Sequence, residues 1–163
     1  MKLQIHPIGN SYSEQAIDLI LTIQQKEFNV PLTIHDQPDL FEIESFYTEA
    51  GGNFWGAFID GELVGTIALV KFDDRAGAIR KMFVKKEFRG KELNIAQELL
   101  EILISFCREN GIDDLYLGTI TVLKAAQRFY ERNDFEKIEK EKLPAQFPLM
   151  GSDDIFYHLN TTL

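Results

Sequence analysis

A change of hydrophobic period about halfway along the chain constrains its fold more than any other feature of the sequence. Before that change, three β-rich runs lie over residues 54–59, 63–72 and 77–84. The Asp60-Gly61 pair between the first two runs is the strongest short-range hairpin signal, and Asp73-Asp74 turns the chain into the third. Three consecutive strands joined by short turns predict an antiparallel meander.

After the meander, apolar residues recur at intervals of three and four, which predicts a helix with one apolar face. The face is formed by Ala96, Leu99, Leu100, Leu103, Phe106 and Cys107. Gly111 stands where a glycine often ends a helix, and residues 114–119 have the pattern of a short strand. Because a helix that crosses between two strands of one sheet makes them parallel, the pattern predicts a sheet of mixed direction.

The N-terminal third predicts one strand and two helices. Residues 2–8 favour a strand, and Val30-Pro31 ends the helix that follows it. That helix, over 11–28, has its apolar positions at Ile17, Ile20, Leu21 and Phe28. A shorter helix is expected over 39–47.

The C-terminal third predicts a helix over 122–132, followed by strands over 135–140 and 155–159. We expect the helix to turn three residues inward, Ala125, Ala126 and Phe129. The predicted order is β-α-α-β-β-β-α-β-α-β-β, an α/β fold in a single domain over residues 1–163.

Composition excludes several classes of function. Seventeen basic and 26 acidic residues give a formal charge of −9, so no nucleic acid is expected as a partner. A single cysteine allows no internal disulfide, and with three scattered histidines it predicts no metal site. No apolar run is long enough to cross a membrane, so we expect a cytoplasmic protein without a membrane partner.

The segment from Met82 to Ala96 is a strand end, a basic loop and the start of the apolar-faced helix. It concentrates positive charge within an acidic chain, at Lys85, Lys86, Arg89 and Lys91. The first amides of a helix lack internal partners and lie at its positive end, so a loop folded over them can bind a pyrophosphate. A solvated surface loop is the alternative, because short glycine loops are weak signals.

A second motif lies at the end of the helix over 122–132. It reads Ala126-Gln127-Arg128-Phe129-Tyr130-Glu131-Arg132-Asn133-Asp134-Phe135. With the basic loop at this distance before it, the chain resembles the GNAT superfamily of acetyl-CoA-dependent N-acetyltransferases. That family has a loop of the form Arg/Gln-x-x-Gly-x-Gly/Ala and a later helix of the form Ala-x-x-Phe-Tyr-x-x-x-Gly-Phe. The resemblance implies a mixed, mostly antiparallel central sheet flanked by helices, with two strands splayed at the acetyl-CoA site.

Two registers align the loop with the family motif. The preferred one runs from Lys91 and places Asn94 and Ala96 at the two glycine positions; the alternative starts at Arg89. In the helix motif, Asp134 replaces the final glycine. Because Asn and Asp best tolerate a left-handed backbone, we expect positive φ angles at Asn94 and Asp134.

The resemblance also implies roles for particular residues. The backbone of Met82, Phe83 and Val84 would pair with the pantetheine arm of acetyl-CoA and polarise the acetyl carbonyl. The remaining cofactor-binding positions would be Arg89, Gly90, Lys91, Asn94, Ile95, Ala96 and Phe129.

Tyr130 is the candidate catalytic side chain. Neighbours on a helix point about 100° apart, so we expect Phe129 to occupy the core and Tyr130 to face a cleft. There its phenol would protonate the departing CoA thiolate as a general acid. A half-buried aromatic residue without a catalytic role is the alternative.

We therefore expect an N-acetyltransferase that moves the acetyl group of acetyl-CoA to a small-molecule or peptide amine by direct attack. A non-catalytic acyl-CoA-binding module and a structural domain without a ligand are the alternatives. The sequence leaves open the amine, the general base and the oligomeric state, including a homodimer. The third meander strand offers no carboxylate over residues 78–81, and three glutamates of the short helix are weak candidates for the base: Glu42, Glu44 and Glu49.

Overall fold

Seven strands form one open sheet of mixed direction in the computed structural model, which describes residues 2–162. The strands are β1 (Leu3–Pro7), β2 (Asn53–Ile59), β3 (Glu62–Asp73), β4 (Ala76–Val84), β5 (Asp114–Thr119), β6 (Glu136–Ile138) and β7 (Ile155–Asn160). Their order across the sheet is β1-β2-β3-β4-β5-β7-β6. Strands β4 and β5 are parallel, whereas β1–β2, β2–β3, β5–β7 and β6–β7 are antiparallel.

Three α-helices lie between these strands: α1 (Ser13–Leu21), α2 (Ile95–Glu109) and α3 (Lys124–Arg132). Helix α1 continues as a π-helical segment over Thr22–Glu27, and two further helical turns occupy Pro38–Phe41 and Glu44–Thr48. The α/β fold with helices flanking a mixed sheet is confirmed. The predicted order of helices and strands is confirmed except over 39–47, where the expected helix is two separate helical turns.

The two turns that glycine signals predicted have the expected backbone. Asp60 and Gly61 have φ angles of 49° and 83°, the left-handed pair of a type I′ hairpin. Gly111 has a φ angle of 71° directly after α2. The amide of Ile112 donates to the carbonyl of Cys107 at 2.9 Å, which closes the end of that helix.

The buried face of the first helical segment differs from the prediction. Of the four predicted positions only Ile20 is buried, and Phe28 is 38% exposed. The observed face is Ala16, Leu19, Ile20 and Ile23. This is a regular i, i+3, i+4, i+7 stripe that starts one residue earlier on a small alanine. The widening into a π-helix after Leu21 then shifts the phase, so Phe28 falls outside the stripe.

The chain forms two compact units. The first consists of residues up to Val70 together with Arg80–Leu103, and the second of Lys71–Ile79 with residues from Ile104 onward. The core of the first unit packs α1 and the helical turns on β2 and β3, with Tyr47, Phe54 and Leu40 at its centre. The second unit contains an aromatic cluster of Phe72, Tyr116, Phe147 and Phe156. Across the described residues, no helix is both long and apolar enough to span a membrane.

Candidate active site

The basic loop of the first unit connects β4 to α2. The amide of Lys85 donates to the carbonyl of Val64 at 2.8 Å, so the loop starts fixed to β3. Gly90 and Asn94 both have left-handed backbones, with φ angles of 125° and 54°. The amide of Asn94 donates to the carbonyl of Gly90 at 3.1 Å, which folds the loop over the start of α2. The positive φ angle predicted for Asn94 is therefore confirmed.

This loop presents an exposed surface at the positive end of a helix that spans Ile95–Glu109. Lys86, Gly90 and Lys91 are exposed, and Ile95 is buried beneath them. Glu92 is also exposed, so its carboxylate can remain in solvent. Exposed amides and lysine side chains at a helix N-terminus are the groups that a phosphate binds.

Arg89 is engaged within the protein. Its guanidinium makes two hydrogen bonds to the carboxylate of Glu27, one of them at 2.7 Å, and donates a third to the carbonyl of Val84 at 2.8 Å. It also lies 5.9 Å from the ring centre of Phe28. These hydrogen bonds hold the pKa of Glu27 below its ordinary value. Arg89 thus ties the base of the loop to the end of the first helical segment.

A buried polar cluster is centred on Lys81 of β4, still within the first unit, and the sequence did not reveal it. The ammonium group of Lys81 donates to Gln37 Oε1 at 2.5 Å and lies 3.6 Å from Asp39 Oδ2. The side chains of Lys81 and Asp39 are only 5% and 6% exposed. The hydroxyl of Tyr47 donates to the same Asp39 oxygen at 2.5 Å. We call Lys81, Gln37, Asp39 and Tyr47 the Lys81 cluster.

The Lys81 cluster contains groups with shifted acidities. Burial lowers the pKa of Lys81 to about 8, against the opposing attraction of Asp39. Burial, reinforced by the Asp39 charge, raises the pKa of Tyr47 well above its ordinary range, so this phenol stays protonated. Perturbed groups of this kind are concentrated in functional sites, although structural ion pairs also produce them.

The backbone of Lys81 is as unusual as its side chain. Its φ angle is 54°, in the left-handed region and in the middle of a strand. Its carbonyl accepts a hydrogen bond from the hydroxyl of Thr66 on β3 at 2.7 Å. Lys81 immediately precedes Met82, the first of the three residues proposed to pair with the cofactor.

In the second unit, the parallel ladder between β4 and β5 covers only the first residues of each strand. Ala76–Ala78 pair with Asp114–Tyr116. Strand β4 continues beyond this ladder from Ile79 to Val84, while β5 remains paired with β7 along its whole length.

Tyr130 lies on α3 in the second unit, and its environment differs from the prediction. It is 6% exposed, with ring centres 5.5 Å from Phe129, 5.5 Å from Phe135 and 6.0 Å from Tyr157. Phe129 is only half-buried. The expectation that Phe129 fills the core while Tyr130 faces aside is therefore wrong, because α3 turns Tyr130 inward.

The inward face of α3 is set by Gln127. Its side-chain amide donates to the carbonyls of Ile120 and Thr121 at 3.3 Å and 2.9 Å, so a polar residue is tolerated at a buried position. Tyr130 follows three residues later on the same face. Ala125 is exposed and Ala126 half-buried, so the predicted inward positions are wrong by one to two residues.

The motif at the end of α3 keeps its expected turn. Asp134 has a φ angle of 69°, which confirms the left-handed backbone predicted there. The amide of Phe135 donates to the carbonyl of Tyr130 at 3.1 Å. Burial and the nearby charge of Asp153 raise the pKa of Tyr130, so its phenol is protonated at neutral pH. A protonated phenol can act as a proton donor.

No group of three or more histidine, cysteine, aspartate or glutamate residues that could hold a metal ion occurs within residues 2–162. The residues proposed from the sequence thus lie in two sets. Met82–Val84 and the loop belong to the first unit, and Phe129 and Tyr130 to the second.

Comparisons with known proteins agree with the fold. A model of the acetyltransferase (GNAT) family matches residues 17–135. A crystal structure of a GNAT-family acetyltransferase from Staphylococcus aureus MU50 has a TM-score of 0.94 and 42% sequence identity, and the match covers 98% of this chain and 99% of that chain.

Two further matches are more distant. N-acetylaspartate synthetase of Danio rerio is 35% identical over 102 residues, which is 61% of this chain and 36% of that protein. The chain thus spans about a third of the length of this curated relative. The PaiA N-acetyltransferase of Thermoplasma acidophilum, crystallised with coenzyme A, has a TM-score of 0.74 with 18% identity over 98% of this chain and 99% of that one. At that identity the likeness shows the fold alone.

Proposed function

The chain belongs to the GNAT family of acetyltransferases, and on this premise we propose that it transfers the acetyl group of acetyl-CoA directly to an amine. It is an acyltransferase by family. The observation that supports acetyl-CoA most strongly is the loop over Gly90–Asn94, whose two left-handed residues fold it over the positive end of α2.

We propose that the pyrophosphate of CoA binds at this loop. The amides of Gly90, Lys91, Ile95 and Ala96 are the donors, because the first amides of a helix have no partners within it. Asn94 contributes through its left-handed backbone, since its own amide is bonded to the carbonyl of Gly90. The exposed ammonium groups of Lys86 and Lys91 add attraction that salt weakens.

Arg89 belongs to the same proposed site, in a supporting role. Its contacts to Glu27 and Val84 hold the loop in the shape that the phosphates require. Its effect on CoA affinity then comes through the loop backbone, rather than through a direct bond to phosphate.

The proposed reaction proceeds by direct attack. The nitrogen of a neutral amine adds to the acetyl carbonyl carbon, the carbon–sulfur bond breaks, and CoA leaves as a thiolate. Backbone groups of Met82, Phe83 and Val84 pair with the pantetheine arm and polarise the carbonyl, while Phe129 packs against the cofactor. Tyr130 gives its proton to the thiolate sulfur and regains one from solvent, and the proton lost by the amine passes to water.

The acceptor is proposed only as a class. The name of the Danio rerio relative makes a small amino acid the first amine to test, with polyamines and peptide N-termini next. An acidic protein also favours a cationic acceptor, since the net charge is −9. We propose a cytoplasmic location, for which the composition with a single cysteine is the support.

The burial of Tyr130 favours one competing function, a module that binds acyl-CoA without turnover. Two measurements on the same preparation separate the candidates. Thiol release from acetyl-CoA is followed with aspartate, other amino acids, spermidine and a peptide, and CoA affinity is measured by calorimetry. Amine-dependent thiol release supports the transferase. Tight CoA binding without release with any amine supports the module, and absence of binding overturns both.

A further inference from the structure

Lys81 combines two unfavourable features at one position. Its backbone occupies the left-handed region, which L-residues with side chains avoid, and its ammonium group is buried. Neither feature is needed to continue β4, because an apolar residue with an extended backbone would do so at lower cost. Strained backbone of this kind persists only where the surrounding structure determines it, and it is concentrated at functional sites.

The stretch between α1 and β2 fixes the position of the Lys81 side chain. Gln37, Asp39 and Tyr47 all belong to the stretch between α1 and β2, and the cluster they form holds that stretch against β4. The side-chain amide of Gln37 donates in turn to Gln24 Oε1 at 2.8 Å, which connects the cluster to the first helical segment.

Strand β3 fixes the backbone of Lys81. The hydroxyl of Thr66, which is fully buried, donates to the Lys81 carbonyl. Its neighbour Gly65 allows the chain after Lys81 to approach β3 closely. A Cβ at Gly65 would lie 3.2 Å from the carbonyl oxygen of Phe83 and 3.3 Å from Ile95 Cγ2. Gly65 and Thr66, which are adjacent on β3, thus accommodate the left-handed backbone of β4 at Lys81.

We propose that Lys81 is a positioning residue for acetyl transfer, held by the Lys81 cluster on one side and by Thr66 on the other. It fixes the direction of the backbone groups of Met82–Val84, which bind the acetyl thioester in the proposed function. It also couples that backbone to the stretch between α1 and β2 that contributes Gln37, Asp39 and Tyr47. This inference rests on the proposed function.

A different result is expected if the Lys81 cluster only stabilises the fold. Weakening it lowers the free energy of unfolding but leaves kcat of the folded protein unchanged. A positioning role lowers kcat while the KM for acetyl-CoA changes little, because the pyrophosphate is bound at a different part of the protein. The separation of kcat from KM therefore distinguishes the two.

The first test variant is Thr66→Val, which removes one hydroxyl and keeps the shape of the side chain. Its matched control is Thr161→Val. Thr161 is equally buried and donates to the carbonyl of Ile112 at the same distance of 2.7 Å, but it lies in the second unit and outside the proposed site. A comparable loss of stability is expected in both variants. We expect a fall in kcat of about tenfold in Thr66→Val alone, with the KM for acetyl-CoA within about twofold.

The second variant is Lys81→Met combined with Asp39→Asn. Replacing both partners avoids leaving a buried carboxylate without its cation, which could prevent folding. A fall in kcat at least as large as that of Thr66→Val is expected. If both variants retain the kcat of Thr161→Val, Lys81 has no positioning role.

A third measurement is independent of catalysis. Hydrogen exchange of the amides of Met82–Val84 in the protein without ligand should be about tenfold faster in Thr66→Val than in Thr161→Val. If the wild type acetylates no amine, the proposed function fails, and this exchange experiment still decides the inference. Equal exchange in the two variants overturns it.

Discussion

The guanidinium of Arg89 hydrogen-bonds both carboxylate oxygens of Glu27, so the charge of this arginine is already neutralised by a partner within the protein. The pair is only partly exposed, with 37% of the Arg89 side chain and 22% of the Glu27 side chain accessible. Two parallel hydrogen bonds also fix its geometry. The arginine therefore shapes the loop before any phosphate arrives.

Reversal of this charge should weaken CoA binding. In Arg89→Glu two carboxylates face each other at the base of the loop, and the repulsion displaces the backbone proposed to bind the pyrophosphate. We expect a loss of CoA affinity of about tenfold at low salt, which shrinks at high salt because exposed charges are screened. Calorimetric titration at two salt concentrations measures it.

The exchanged pair, Glu27→Arg with Arg89→Glu, separates the two roles of the arginine. If Arg89 acts through the loop, the exchange restores most of the affinity, because the ion pair forms again in the opposite sense. If Arg89 bonds directly to phosphate, the affinity stays low in the double variant. Lys142→Glu, an exposed lysine of the second unit, controls for the change in net charge and should leave affinity unchanged.

Replacing Asn94 with glycine should preserve or improve CoA affinity. The φ angle of 54° is one that glycine adopts without strain. The substitution also removes side-chain bulk beside the proposed phosphate site. Asp134→Gly, at a φ angle of 69° on the other motif, is the matched control and should leave CoA affinity unchanged. Loss of CoA binding in a folded Asn94→Gly variant would show that the asparagine side chain makes a specific contact.

The sequence predicted those parts of the fold whose signal is local. The hairpin at Asp60-Gly61 and the left-handed turns at Asn94 and Asp134 follow from the few residues that tolerate such a backbone. The inward face of α3 could not be predicted in this way. Its phase depends on Gln127 meeting carbonyls of the preceding loop, which is a tertiary contact.

The Lys81 cluster shows the same limit at the candidate site. Lys81 and Asp39 are far apart in the chain, and each alone resembles an ordinary polar residue in a strand or a short helix. The sequence contains one hint, a lysine within a β-rich run, and no feature that identifies its partners. The burial and the left-handed backbone of Lys81 depend on tertiary contacts, which the sequence pattern does not specify.

The stability of the protein should rise with pH as Lys81 loses its proton. Its pKa is about 8 in the folded protein, against an ordinary 10.5. Below pH 8 Lys81 is protonated in both the folded and the unfolded state, so the free-energy cost of burying its charge does not change with pH. Above it the unfolded state binds more protons, so the free energy of unfolding increases, by about 1 kcal/mol between pH 8 and pH 9. Denaturant titrations over this range measure it.

The double variant Lys81→Met with Asp39→Asn isolates this effect from other titrations. Asp39 and Arg80 act on Lys81 with opposite signs, and Tyr47 stays protonated throughout. Burial raises the pKa of Cys107 to about 12, so its contribution opposes that of Lys81 as the pH approaches and passes its ordinary value of 9.0. Both proteins contain Cys107, so this contribution cancels in their difference. The difference between wild type and double variant should therefore grow from pH 8 to pH 9. A constant difference would show that Lys81 does not titrate there.

Removing the hydroxyl of Tyr130 should lower turnover and leave acetyl-CoA affinity unchanged. In Tyr130→Phe the ring still fills its place among Phe129, Phe135 and Tyr157, so the packing persists. In the proposed reaction CoA leaves as a thiolate of moderate proton affinity, so a donor assists its departure without being indispensable. We expect kcat to fall by roughly 10²-fold, the low end for general acid catalysis. Steady-state kinetics and CoA titration on one preparation provide both values.

Tyr157→Phe is the matched control, because it removes a tyrosine hydroxyl from the same aromatic group. That hydroxyl donates to Glu131 at 2.7 Å, so its loss should reduce stability by about 1 kcal/mol and leave kcat unchanged. The burial of Tyr130 makes this comparison decisive. A buried phenol without a catalytic role would behave like Tyr157, with a small loss of stability and normal turnover. Equal kcat in the two variants would remove Tyr130 from the mechanism and leave substrate positioning and the backbone groups of Met82–Val84 as the source of catalysis.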